Sequence, residues 1–222
     1  QGLFGYIGIH GHVYNLSVSG QIKGYNYTGG IAGYNLGNIH DVYNQATIDG
    51  RDYTGGIAGY HEGKIENVYN KGAVTGYNYT GGIAGMVKNR LAYTYNIGVI
   101  YGKNNVGAIA GFLEQDFISY SYFDSRILSA YRDANGYKKP TKAIGNSNQA
   151  DSVYGLDKNY MIGANALGSG SLQMNLPTTD WATNLNMDPN QNYPQLRVFA
   201  AADNAALTKE LSKDSTQTTL YK

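Results

Sequence analysis

The chain of 222 residues contains no cysteine. That excludes a disulfide framework and any thiolate metal site. It fits export, where stray thiols are a hazard, although many cytosolic chains share it. Proline is scarce as well: all four residues lie at or beyond Pro140, so turns in the first half must come from other residues. An excess of charge of either sign is missing. The net charge is +1, with seven basic and seven acidic side chains in residues 1–119 and ten and nine beyond. With no basic cluster, the sequence speaks against a nucleic-acid binder and against steering to an anionic membrane. No apolar run approaches the roughly 18 residues that cross a bilayer, and no signal peptide is visible. The chain opens at Gln1-Gly2-Leu3-Phe4-Gly5, already inside repeat-like sequence. We therefore expect an internal fragment of a longer protein.

What is abundant is glycine, at 30 residues, and tyrosine, at 22. A Gly-rich chain can be disordered. Here 42% of residues are hydrophobic and the glycines recur at fixed spacing, so they mark regular turns. Gly-Gly-Ile-Ala-Gly starts at Gly29, Gly55 and Gly81, and Gly-Ala-Ile-Ala-Gly at Gly107, a step of 26 each time. Val-Tyr-Asn starts at Val42 and Val68, and Thr-Tyr-Asn at Thr94, again 26 apart. The copy at Val13 lies 29 residues ahead of Val42, which places three extra residues between Asn15 and Ile22.

A period of this length signals a solenoid, propeller or array, and about 40–45 residues per blade rules out the propeller. The Leu ladder of a leucine-rich repeat is absent, and no segment of the unit has helical periodicity. Each unit offers about three short β-branched pieces between Gly and Asn turns, around Ile31, Ile39–Tyr43 and Ile48. The expected fold is all-β, a right-handed parallel β-helix (solenoid) with 26-residue coils and an irregular C-terminal cap with a short helix. One coil cannot bury its own apolar face, so stacked coils share a core and equivalent residues form columns. The expected core columns are Ile31, Ile57, Ile83, Ile109; Ile39, Ile65, Leu91, Phe117; and Ile22, Ile48, Val74, Ile100. Gly33, Gly59, Gly85 and Gly111 mark a tight corner or a positive φ. Asn15, Asn44, Asn70 and Asn96 form a column of stacked amides. Two tyrosine columns are expected, Tyr14, Tyr43, Tyr69, Tyr95 and Tyr27, Tyr53, Tyr79. They either seal the surface or offer an aromatic platform to a sugar or partner protein.

Residues 55–76, GGIAGYHEGKIENVYNKGAVTG, resemble the GLUG motif, as does the opening QGLFGYIG. The resemblance covers about half of the chain; in the fourth copy, Met86–Arg90 lacks the usual Asn/Gly turn. Ser121-Tyr122-Phe123-Asp124, Trp181 and Tyr193-Pro194-Gln195-Leu196 are similar to strings that end such arrays. The resemblance implies a large secreted bacterial protein. Its context is either a two-partner-secretion adhesin of the filamentous-haemagglutinin kind or the region beside an IgA-specific metalloprotease. Residues 1–119 are read as GLUG-like solenoid repeats, 120–199 as irregular last coils and a C-terminal cap, and 200–222 as a short helix and linker tail. The helix is placed at residues 203–213, with Asp203 as N-cap. Ser171 is expected to cap a helical turn.

Catalytic constellations are not evident. There is no His-Glu-x-x-His, no phosphate loop and no Gly-x-Ser-x-Gly. His10-x-His12 is a weak metal pair. Asp49 and Asp52 face Thr75/Asn78 and Tyr101/Asn104 in the neighbouring coils rather than a second carboxylate. Asp133-x-Asn135-Gly136 and Asp188-x-Asn190-x-Asn192 hint at calcium loops without a full ligand set. Thr28, Thr54 and Thr80 form a single column interrupted by Val106, short of the array that ice binding needs. The expected function is therefore non-enzymatic, without cofactor or metal: a structural and adhesive segment of an exported cell-surface protein. Its expected partner is a host or bacterial surface protein or glycan, with no nucleic acid and no membrane insertion. The alternatives are an accessory substrate-presenting domain of an IgA-type protease and a carbohydrate-active β-helix protein. The candidate ligand residues are Tyr27, Tyr53 and Tyr79, on a lateral face beside threonine.

Overall fold

The computed structural model describes residues 1–115, 117–147, 152–163, 166–183 and 193–199. One coil shows the plan. Strands Ala32–Asn35, Asn38–Asn44, Thr47–Asp49 and Asp52–Gly55 follow one another around four faces. Ala58–His61 then begins the next coil, paired in parallel with Ala32–Asn35. The result is a parallel β-solenoid with sheets of five, six, four and four strands. Each coil thus has four strands rather than the expected three. The extra one is the Asp52–Gly55 type, whose Asn/Asp-Tyr-Thr-Gly sequence reads as a turn.

Simple alternation does not describe these strands. In Asn38–Asn44, Ile39, Val42 and Asn44 are all inside and fully buried. Alternation would put 39, 41 and 43 on one face. Asp41, at φ 53°, is left-handed and resets the alternation. Asn15, Asn67, Tyr93 and Tyr120 do the same in their coils, and Tyr27, Tyr53, Tyr79 and Asn105 on the fourth face. Asn and Asp accept this conformation with little cost, whereas Tyr is unusual there.

The Ile31, Ile57, Ile83, Ile109 column is fully buried, and its backbone runs as a continuous ladder. Ile31 N–H donates to Ile57 O at 2.9 Å, Ile57 to Ile83 at 2.8 Å and Ile83 to Ile109 at 2.8 Å. Ile22, Ile48, Val74 and Ile100 stack in register on the third face. The Ile39, Ile65, Leu91 column ends on Ile118 instead of Phe117. The turn before it is one residue longer, so Phe117 falls outside, 48% exposed.

The first coil departs further from expectation. Ile7 pairs with Asn35, a step of 28, and His12 with Asn38, a step of 26. The extra residues therefore precede His12, and none lies between Asn15 and Ile22. Tyr14 stacks on His40, Ser17 faces Tyr43 and Val18 faces Asn44. Neither Tyr14 nor Asn15 heads the column expected of it. Burial decides the register. The observed one turns Val13, Leu16 and Val18 toward the core, where the Val-Tyr-Asn match would set Leu16 outside.

Gly33, Gly59, Gly85 and Gly111 are required by close approach and have no positive φ. A Cβ on Gly59 would lie 2.5 Å from Tyr27 C and from Thr28 N. The left-handed tyrosine of one coil thus presses its backbone into the glycine of the next.

At the far end, Ile118–Asp124 and Val153–Leu156 extend the second sheet, and Ala143 accepts from Ile109 N–H at 2.9 Å. These segments cover strand edges that would otherwise stay unpaired. Beyond Leu156, described residues pack on the flank of the second sheet. Met161, Met174, Leu176, Trp181 and Leu196 form an apolar cluster with Tyr69, Tyr95 and Tyr122. Ser171 lies in a turn, with Gln173 N–H donating to Gly170 O, so no helix is capped there. The Asp203 helix, the 200–222 tail and the Asp188–Asn192 string lie outside the described residues.

Candidate ligand-binding surfaces

Tyr27, Tyr53 and Tyr79 stack at 5.1 and 4.8 Å between ring centroids on the fourth face. On the first face, Tyr6, Tyr34 and Tyr60 stack at 5.7 and 4.5 Å, and the column continues through Met86 to Phe112. The two columns meet edge to face. Tyr27 packs on Tyr34 and Tyr60, Tyr53 on Tyr60, and Tyr79 on Phe112, at 5.6–5.8 Å. Such edge contacts fix the rings while leaving one side to solvent. The outcome is a two-column aromatic strip around one corner of the solenoid.

The threonines beside this strip do not contribute to it. Thr28, Thr54 and Thr80 are fully buried, and their hydroxyl oxygens have no hydrogen-bond partner among the described residues. They sit beneath Gly24, Gly50 and Gly76, where a Cβ would come within 2.3–2.5 Å of each Oγ1. Val106 continues the column, consistent with the methyl rather than the hydroxyl being the group that packs.

Polar groups rim the strip. The Tyr34 hydroxyl donates to Glu62 at 2.9 Å. Burial, then the Glu62 carboxylate, pushes the Tyr34 pKa up. Lys88 lies 5.7 Å from the centre of the Tyr60 ring and 3.1 Å from Glu114. Two residues before the tyrosine column runs another, Tyr25, Arg51, Tyr77, Lys103, in which aromatic and cation alternate. Arg51 lies over Tyr25 and Tyr77 at 4.8 and 5.8 Å, and Lys103 over Tyr77 at 4.8 Å. Its spacing is also 26, but it alternates two kinds of residue, aromatic and cationic, instead of repeating one.

The other tyrosine column is occupied by the chain itself. Tyr43, Tyr69 and Tyr95 stack at 4.7 and 4.9 Å. Phe199 packs on Tyr43, and Trp181 on Tyr69 and Tyr95. Tyr95 OH donates to Pro194 O at 2.6 Å, Trp181 Nε1 to Asn67 Oδ1 at 3.2 Å, and Asn175 N–H to Tyr122 OH at 2.8 Å. This face is a packing surface.

The remaining polar side chains are mostly structural. Asn44 donates to Asn70 and Asn70 to Asn96, each at 2.8 Å, and each amide also bonds the backbone two residues on. Asn35 meets His61 Nδ1 at 3.1 Å, and His61 Nε2 faces Arg90 O at 2.9 Å. Burial pulls the His61 pKa down to about 4, so the ring is neutral. Asp52 accepts from Asn78 at 2.6 Å within a polar ladder that reaches Asn104. Asp124 is buried against Arg126 and Tyr193, whose bonds hold it below the ordinary carboxylate range despite its burial. Asp133 Oδ1 accepts from Asn135 N–H at 2.9 Å and Tyr137 N–H at 2.8 Å, so it closes its own loop. Among the described residues no three His, Asp or Glu side chains are grouped to hold a metal ion. His12 contacts Asn38, and His10 is exposed.

The fold and its surface define a class, the parallel β-solenoid with lateral aromatic columns. Within that class, the family model of the GLUG motif matches residues 50–75, one full period from Gly50 to the third-face strand Val74–Thr75. No curated protein and no solved structure matches the chain.

Proposed function

We propose that this chain is a structural and adhesive segment of a large exported bacterial surface protein. The solenoid is its rigid spacer, and the corner strip of Tyr27, Tyr53 and Tyr79, backed by Tyr34 and Tyr60, is the surface that attaches it to a host or neighbouring cell. The observation that carries this reading is the strip itself. It crosses three successive coils with ring centroids 5.1 and 4.8 Å apart, while the apolar columns fill the interior. A repeated flat surface of this kind suits a repeated or extended partner, protein or glycan. The GLUG match supports an exported segment. No helix among the described residues is long and apolar enough to cross a membrane. Neither nucleic acid nor a catalysed reaction is part of this reading.

Changing Tyr27, Tyr53 and Tyr79 together to Ser tests it. Adhesion of beads coated with the purified chain to epithelial cells is expected to fall at least about tenfold, with circular dichroism unchanged. Undiminished adhesion by the folded variant overturns the reading and leaves these tyrosines a purely structural role.

A further inference from the structure

Beyond Ile127 the repeat is interrupted by an excursion that solenoid packing does not require. After the 3₁₀ turn Ser125–Ile127 the chain leaves the coil, turns at Gly136 (φ 83°) and returns at Lys138, which bridges both Arg132 and Gly102. Between this excursion and the third face lies a cleft of about 380 Å³, lined by Thr75, Tyr101, Tyr131, Asp133, Asn135 and Tyr137. We infer that this cleft binds a neutral saccharide, one or two pyranose units long, separately from the corner strip.

Three aspects of the cleft point that way. Its walls are aromatic on both sides. Tyr101 comes from the solenoid and Tyr131 and Tyr137 from the excursion, with Tyr101 and Tyr131 edge to face at 6.3 Å and Tyr131 50% exposed. Ring faces suit the apolar hydrogens of a pyranose. Among them stand a hydroxyl, an amide and a carboxylate, the short polar groups that bond sugar hydroxyls. Only Oδ1 of Asp133 is used within the loop; Oδ2 has no partner among the described residues. The loop is also built in advance. Asp133 N–H donates to Tyr137 O at 2.8 Å, Gly136 N–H to Asp133 O at 3.0 Å and Lys139 N–H to Tyr131 O at 3.2 Å. A ligand therefore need not order it, which favours affinity for a small molecule.

Charge selects the class of ligand. A tyrosine cage with a carboxylate also suits a quaternary ammonium. Here, however, Lys103 lies 5.0 Å from the centre of the Tyr137 ring and Lys139 5.7 Å from that of Tyr101. A further cation would meet these two ammonium groups. An anionic sugar would meet the carboxylate of Asp133, which lines the cleft itself, so the mixed charges around the site favour neither sign. A neutral polyol meets neither obstacle. The cleft carries one carboxylate, and glycoside hydrolysis uses two, so the inference is of binding without cleavage.

Ligand-observed saturation-transfer NMR on the full 222-residue chain is the test. The probes are the methyl glycosides of glucose, galactose, mannose, N-acetylglucosamine and N-acetylgalactosamine, with choline as the cationic comparison. Transfer to at least one glycoside is expected. It is expected to weaken about tenfold in Tyr131→Ala, an exposed position whose loss leaves the fold intact. Asp133→Asn keeps the Oδ1 acceptor that closes the loop and alters only the second oxygen, and it is expected to weaken binding as well. The variant with Tyr27, Tyr53 and Tyr79 changed to Ser is expected to bind as the parent does, which separates this cleft from the adhesive strip. Transfer to choline alone, to none of the glycosides, or equally in Tyr131→Ala overturns the inference.

Discussion

His61 shows how one side chain can couple the core to acidity. It sits fully buried in a column with Asn35 on one side and Val87 on the other. Its folded pKa of about 4 lies below the ordinary 6.5 because burial disfavours the imidazolium. The unfolded chain therefore binds the proton more readily than the folded one. The stability this ring supports is whole above about pH 6.5 and is lost as pH falls toward 4. The loss is on the order of 3 kcal/mol. His61→Asn continues the amide of Asn35 and removes the titration. Melting of the parent is expected to drop between pH 7 and pH 4.5 by several degrees more than melting of His61→Asn. Equal pH profiles would show that His61 does not carry the effect. Residue identity alone gave no warning of this burial, since a histidine in a polar motif reads as a surface turn.

Among the elements, the two polar ladders have similar chemistry and opposite worth. Asn70 is fully buried and bonds Asn44, Asn96 and both polar groups of Gly72. Asn70→Ala strands several buried donors and acceptors and is expected to cost roughly 3–5 kcal/mol. Asn78 stands in the Asp52–Asn104 ladder, partly in water. Asn78→Ala is expected to cost under about 1 kcal/mol. Urea denaturation of the two variants checks the contrast, and similar midpoints would sink it. The buried ladder was legible from Asn44, Asn70 and Asn96 because a strict 26-residue period exposes any column with one residue type. The same device placed the Ile31 and Ile22 columns correctly. It misled at Tyr14 and Asn15, where matching letters lost to the burial of Leu16 and Val18, and at Phe117, where one added residue shifted the register. The fourth strand was missed because left-handed tyrosines, which break alternation, carry no local signal.

On the scale of the whole molecule, the candidate strip was legible and its setting was not. Tyr27, Tyr53 and Tyr79 announce themselves by spacing. That their threonine neighbours are wholly buried goes with the left-handed backbone of the tyrosines themselves, which letters do not encode. The flank-docked C-terminal segment was beyond reach for another reason. Trp181 meets Asn67 across 114 residues of sequence, and nothing near either residue records the meeting.

That docked segment also determines how the molecule would fail under load. Phe199 touches Tyr43, Trp181 touches Tyr69 and Tyr95, and Asn175 holds Tyr122, so the described residues of the C-terminal segment strap four coils. Strand pairing alone would let a solenoid peel one coil at a time, each releasing about 90 Å of chain. The strap ties those four coils into a single mechanical unit and leaves only the first coil, around His12–Val18, outside it. A chain that lacks cysteine takes one engineered thiol cleanly. Optical tweezers attached at Gln1 and at Lys138→Cys would load the coils without pulling on the strap. The expected trace has one small early rip followed by one large rip at higher force. In Trp181→Ala the large rip should break into steps of about 90 Å. A parent trace already divided into equal steps would show that the strap bears no load. Under tension, that difference is between a cord that pays out gradually and one that holds stiff until it gives.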